Sequence, residues 1–103
     1  MDSITILSLN YQGLGNVRNR REFFHYLKQK SCSIYCLQDT HFNTKLKSDV
    51  KAQWGYNCFF ASCSFSNSRG VAVMFMNNSE FKTSDVKQDR NGSFILVSFF
   101  NEG

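Results

Sequence analysis

The order of the first three segments constrains the fold more than any other feature of the chain. Ile4-Thr5-Ile6-Leu7-Ser8-Leu9 is short, rich in β-branched residues and apolar on both parities, the pattern of a strand buried on both faces. Asn10 to Gly15, with glycines at 13 and 15, reads as a loop. Asn16 then stands as an N-cap before Val17 to Lys30. Val17, Phe23, Phe24 and Leu27 make one apolar stripe, and Arg18, Arg21, His25 and Lys28 fall on another face, which is expected to be solvated. Ser33 to Leu37 reads as a second buried strand, ending at Gln38-Asp39-Thr40-His41. Strand, helix, strand in this order is a βαβ unit, whose crossover is right-handed and whose strands are parallel. Ligands of parallel sheets gather beyond the carboxyl ends of the strands. Asn10 and Asp39 both stand at such an end, so neighbouring strands would turn the two side chains toward one crevice.

Beyond this unit the chain alternates between short apolar runs and turns. Thr44 to Trp54 has a weak helical period in Leu46, Val50 and Trp54. Cys58–Ala61, Val71–Met76, Phe81–Val86 and Ser93–Phe100 read as strands, with turns at Asn67–Gly70, Asn77-Asn78 and Asp89–Gly92. The last turn carries Asn-Gly, a hairpin signal. The expectation is an antiparallel meander following a βαβ start. Without proline, repeat or linker, residues 1–103 read as one unit.

Composition excludes several classes. Hydrophobic residues make up 42% and charged residues 19%, unlike a disordered tail. No apolar run approaches the roughly 20 residues of a membrane span, so no membrane role is expected. Residues 1–10 carry Asp2 and no basic leader, which is not the pattern of a signal peptide. The four cysteines are therefore expected as reduced thiols. Their spacings are Cys32-x3-Cys36 and Cys58-x4-Cys63; Cys32 and Cys36 fall on a strand-like stretch and read as small core residues, and a zinc site is not expected. A net charge of +4 fits a polyanion partner as readily as an ordinary domain.

Asp39 is the acid at a strand end beside a polar cluster. A carboxylate with neutral oxygen donors suits Mg²⁺, which keeps several waters and needs few protein ligands. Asn10 adds an amide that orients a phosphate oxygen or a metal-bound water. By spacing alone, the same two residues read first as turn formers. His41 reads as a surface or capping residue, and Arg69 as a solvated turn residue within reach of a phosphate. No nucleophile elbow, phosphate-binding loop or dinucleotide fingerprint is present. Phosphodiester hydrolysis also needs a general base for water and an acid or cation for the leaving oxygen, and no residues here clearly supply both.

Four ordered stretches add a resemblance. Ile6-Leu7-Ser8-Leu9-Asn10-Tyr11-Gln12-Gly13-Leu14 resembles the "LSLNCRGL"-type opening strand of retrotransposon endonucleases, and Arg20 to Leu27 resembles the helix that follows it. Ile34 to His41 resembles their "LQETH" segment, and Asn67 to Val73 their "SRGVAIL" strand. The family is the endonuclease/exonuclease/phosphatase superfamily, in particular the apurinic-type endonuclease of non-LTR (LINE-type) retrotransposons. The resemblance implies a four-layer α/β sandwich of two facing sheets, of which residues 1–103 form the N-terminal half. It implies Mg²⁺-dependent hydrolysis (Mn²⁺ as a substitute) of a DNA phosphodiester, with Asn10 and Asp39 as the metal-holding and catalytic positions. His41 and Arg69 match motif neighbours on the substrate side.

The sequence departs from the family at two points. Its acid is Glu, and Asp39 is shorter by one carbon–carbon bond, roughly 1.5 Å. Its "GDFN" and "SDH" segments have no counterpart among these residues. The expectation is a segment of a retrotransposon polyprotein that includes a reverse transcriptase, nuclear in its setting and inactive in isolation. The alternative is a half-domain with weak, non-specific affinity for nucleic acid and no chemistry.

Overall fold

In the computed structural model, which describes residues 4–11, 16–41, 47–61, 69–76 and 81–101, the βαβ unit forms as expected. Strand β1 (Ile6–Asn10) lies parallel to β2 (Ile34–Gln38), with Ile6 opposite Ile34 and Asn10 opposite Gln38. Helix α1 (Val17–Lys30) crosses between them. Asn16 caps it, its side-chain oxygen accepting from the Asn19 N–H at 3.0 Å. Ser31 ends it in the left-handed conformation (φ 57°).

Helix α2 (Lys47–Trp54) is the expected second helix, buried through Val50 and Trp54; Leu46 lies outside the described residues. Strands β3 (Cys58–Ala61) and β4 (Val71–Phe75) follow, and β4 pairs antiparallel with both β2 and β3. The first sheet has the order β1-β2-β4-β3. Strands β5 (Phe81–Gln88) and β6 (Ile95–Asn101) form a separate antiparallel hairpin. The expected meander is thus corrected: the chain changes sheets between β4 and β5. The two sheets face each other across Ile34, Phe75, Phe81, Cys36, Phe59, Val73, Val97 and Phe99.

Helices, first sheet and second sheet stack as three layers. The core on the helix side joins Phe23, Phe24 and Leu27 of α1 and Val50 and Trp54 of α2 to Tyr35, Leu37, Ala72 and Met74 of the sheet. Trp54 sits at its centre, edge-on to Phe24 and Tyr35, and its Nε1–H donates to the Phe75 carbonyl at 2.8 Å. Tyr35 donates its hydroxyl to the Leu27 carbonyl, pinning α1 to β2.

Three further expectations are corrected by packing. The β1 strand is not buried on both faces. Leu7 and Leu9 pack under α1, but Ile6 is 59% exposed, because β1 is an edge strand among the described residues and the second sheet does not reach over it. Val17 stands out of the α1 stripe. Its place inside is taken by Arg20, whose Nε donates to Gln53 Oε1 of α2 at 2.5 Å. The basic face of α1 is not purely solvated: Lys28 Nζ lies 5.0 Å from the Trp54 ring centre.

Cys58 is buried in the helix-side core, Cys32 packs against that core and Cys36 against the one between the sheets, both partly buried; Cys63 lies outside the described residues. Burial pushes the Cys58 thiol up to about 12, against a smaller opposing pull from Lys51 and Lys47. Its thiolate is scarce at pH 8, so iodoacetamide is expected to label Cys58 only in denaturant. Peptide mass spectrometry after native and denatured labelling checks this; full native labelling of Cys58 contradicts the packing.

Candidate active site at the carboxyl end of the parallel strands

The register of β1 and β2 places Ile6, Ser8 and Asn10 beside Ile34, Cys36 and Gln38 on the face that looks toward the second sheet. Along that face the character changes from apolar to polar. Gln38 Nε2 donates to Ser8 Oγ at 3.0 Å, and one residue further on Asn10 Nδ2 donates to Asp39 Oδ2 at 2.8 Å. The crevice anticipated from the parallel pairing is therefore closed by a direct side-chain contact. With an ionised acceptor, this is a charge-assisted bond on the exposed rim of the strand ends. Beyond the strand end the Tyr11 N–H donates to the Gln38 carbonyl at 3.1 Å, and the Tyr11 ring stacks on Phe23 of α1 at 3.8 Å.

The other two candidates reach the same place by way of the backbone. The His41 N–H donates to the Arg69 carbonyl at 2.9 Å, and the Thr40 N–H to the Gly70 carbonyl at 3.1 Å. The segment after β2 is thus stitched to the entry of β4. His41 is half-buried and Arg69 is exposed. Asp39, His41 and Arg69 all have left-handed φ angles, 53°, 54° and 64°. Asp and His are among the residues that tolerate this region best. Strained backbone of this kind persists only where the surroundings over-determine it, and it concentrates at functional sites.

Thr40, Gly70 and Gly92 were not singled out by sequence reasoning. Thr40 is fully buried, and its hydroxyl has no hydrogen-bond partner among the described residues. Leaving such a group unpaired costs about 1–3 kcal/mol. Gly70 (φ 114°) lies against it so closely that a Cβ there would overlap the Thr40 hydroxyl oxygen. The Gly70 N–H donates to the Gly92 carbonyl in the β5–β6 turn at 3.1 Å, tying the second sheet to the site. The available signal was Gly directly before a strand at position 70 and Asn-Gly at 91–92. The partner of each is distant in sequence, so spacing does not reveal it.

Asp89 builds that turn. Its Oδ1 accepts from the N–H groups of Ser93 and Phe94 at 2.9 and 3.2 Å, which delays β6 until Ile95. Desolvation raises the Asp89 carboxyl, but these hydrogen bonds outweigh it and leave a net downward shift. Between the sheets, a groove lined by Cys36, Gln38, Val71, Val73, Phe94 and Ile95 runs from the polar row.

Solved structures share this fold. The chain superposes on an AP endonuclease from Archaeoglobus fulgidus with a TM-score of 0.58 at 23% identity, over 82% of this chain and 30% of that one. It superposes on the catalytic domain of Xenopus laevis APE2 with a TM-score of 0.59 at 24% identity, over 82% of this chain and 26% of that one. The chain has the fold of an AP endonuclease. It spans less than a third of the length of either structure, and no family model matches its sequence. The endonuclease/exonuclease/phosphatase-type sandwich expected from the four motifs is thus the observed fold.

Proposed function

We propose that the chain carries part of the metal- and phosphate-holding site of a DNA endonuclease of retrotransposon origin. The observation that supports this most is the 2.8 Å contact between Asn10 and Asp39 at the carboxyl end of two parallel strands. Asp39 offers a carboxylate and Asn10 a neutral amide oxygen, since its nitrogen is engaged by Asp39. This hard oxygen set fits a partly hydrated Mg²⁺ or Mn²⁺, which needs only one or two carboxylates beside substrate phosphate and water. Such an ion supplies charge neutralisation at a phosphoryl oxygen and an acidified water. Asp39 is the ligand in this reading. The Asn10 amide oxygen joins it at the ion and stands beside the scissile phosphate, with His41 and Arg69 on the substrate side.

The remainder of the site would come from further segments of a polyprotein that includes a reverse transcriptase, acting on DNA in the nucleus. In isolation the chain binds DNA weakly and without sequence preference, and does not cut it.

Filter binding over a salt series, with and without Mg²⁺, tests this proposal together with plasmid nicking. Affinity is expected to fall steeply with salt, because counterion release drives it. Mg²⁺ is expected to raise affinity for wild type and not for Asp39→Asn. Equal Mg²⁺ response in both proteins, or sequence-specific binding insensitive to salt, overturns the reading; nicking by the 103-residue chain overturns its inactivity.

A further inference from the structure

We propose that Thr40 and Gly70 form a keyed contact that positions Asp39 against Asn10, with the Gly92 carbonyl tying the key to the second sheet. This rests on the reading of Asn10 and Asp39 as the site, and it assigns positioning roles to residues that touch neither metal nor substrate.

Four observations converge on it. Thr40 lies between two residues of left-handed backbone, Asp39 and His41, so the direction of the Asp39 side chain depends on how Thr40 is held. Thr40 is held from the backbone by Gly70 and from the side chain by burial. The space its hydroxyl fills exists because residue 70 has no Cβ; any side chain there would meet Thr40 Oγ1 and come within 3.5 Å of the His41 nitrogen. Gly70 is itself held on its other side, its N–H donating to Gly92 in the β5–β6 turn. A β-branched residue, stiff at χ1, suits the keyed position. Among the described residues the buried Thr40 hydroxyl has no partner, which is unfavourable for folding, so packing against those residues gives no reason for Thr over an apolar residue. A displacement of about 1 Å at a reacting centre is enough to lower rates by two orders of magnitude, so fixing the Asp39 turn has a direct consequence for chemistry.

The experiment is NMR on the metal-free 103-residue chain carrying Thr40→Ala, Gly70→Ala, or both. Two signals report the key. One is the Asn10 side-chain amide shift, referenced to Asp39→Ala, which lacks the carboxylate. The other is hydrogen exchange at the Thr40 and His41 amides. The Trp54 indole N–H, bonded to Phe75 in the core, reports whether the fold survives.

Thr40→Ala is expected to move the Asn10 shift toward the Asp39→Ala value. It is also expected to speed exchange by up to about tenfold, the equivalent of one hydrogen bond of ordinary net strength, while the indole signal stays in place. Gly70→Ala is expected to do more, and adding Thr40→Ala to it to recover part of the loss, because the overlap is removed while the backbone strain at residue 70 remains. If Gly70→Ala abolishes the indole signal, Thr40→Ala alone carries the test. An unmoved Asn10 shift in Thr40→Ala, or a double variant no better than Gly70→Ala where both fold, overturns the proposal. Because no metal is present, these outcomes are independent of whether wild type binds Mg²⁺.

Discussion

Trp54→Ala is expected to lower stability by about 3–5 kcal/mol, the range for truncating a large buried aromatic. Trp54 is fully buried and joins both helices to the sheet. Phe24 and Tyr35 meet its ring edge-on at 5.2 and 5.7 Å, and Lys28 lies over its face. Truncation also leaves the Phe75 carbonyl without its side-chain donor in the core. Small domains hold only about 5–15 kcal/mol in total, so this one change removes a large share. Urea unfolding followed by circular dichroism measures it. A loss under about 1 kcal/mol would mean that the core is organised around another residue.

Self-association through the second sheet is the other large effect expected. The outer face of the hairpin presents Leu96 and Phe100, each at least half exposed, with the exposed Phe94 just before β6. Covering one such side chain is worth about 1.5–3 kcal/mol, and contiguous apolar patches of this kind drive association. Lys87 stands opposite Leu96, and Lys82 opposite Phe100. Leu96→Glu with Phe100→Glu therefore removes the patch and creates two opposite-charge cross-strand pairs. Sedimentation velocity over a concentration series should show wild type associating and the double variant monomeric. Wild type that stays monomeric at high micromolar concentration contradicts this.

Much of what positions the site is legible from residue order. The β1 and β2 strands, α1 with its Asn16 cap, and the parallel pairing follow from periodicity and from the handedness of βαβ units. The juxtaposition of Asn10 with Asp39 follows in turn. The exposure of Ile6 was not legible, because apolar residues on both parities of a strand look the same at an edge as in the middle. Nor was the change of sheet after β4. Alternation tells which parity of Val73, Phe75, Val97 and Phe99 is inward, not which sheet each strand joins. Thr40 and Gly70 meet across thirty positions of chain, and the cue that links them is an absent Cβ.

Asp39 stands where the resembling family has a longer acid, and its carboxylate accepts from Asn10 at 2.8 Å. The left-handed backbone at residue 39 and the bond to Asn10 bring its carboxylate into a defined position. The most direct test of the central claim is a Mn²⁺ titration of isotope-labelled protein, read as paramagnetic broadening. Broadening is expected to centre on Asn10, Asp39 and their neighbours at the end of β1 and β2, and to disappear in Asp39→Asn. Broadening centred elsewhere, or identical in wild type and Asp39→Asn, would remove the Asn10–Asp39 pair from any metal site.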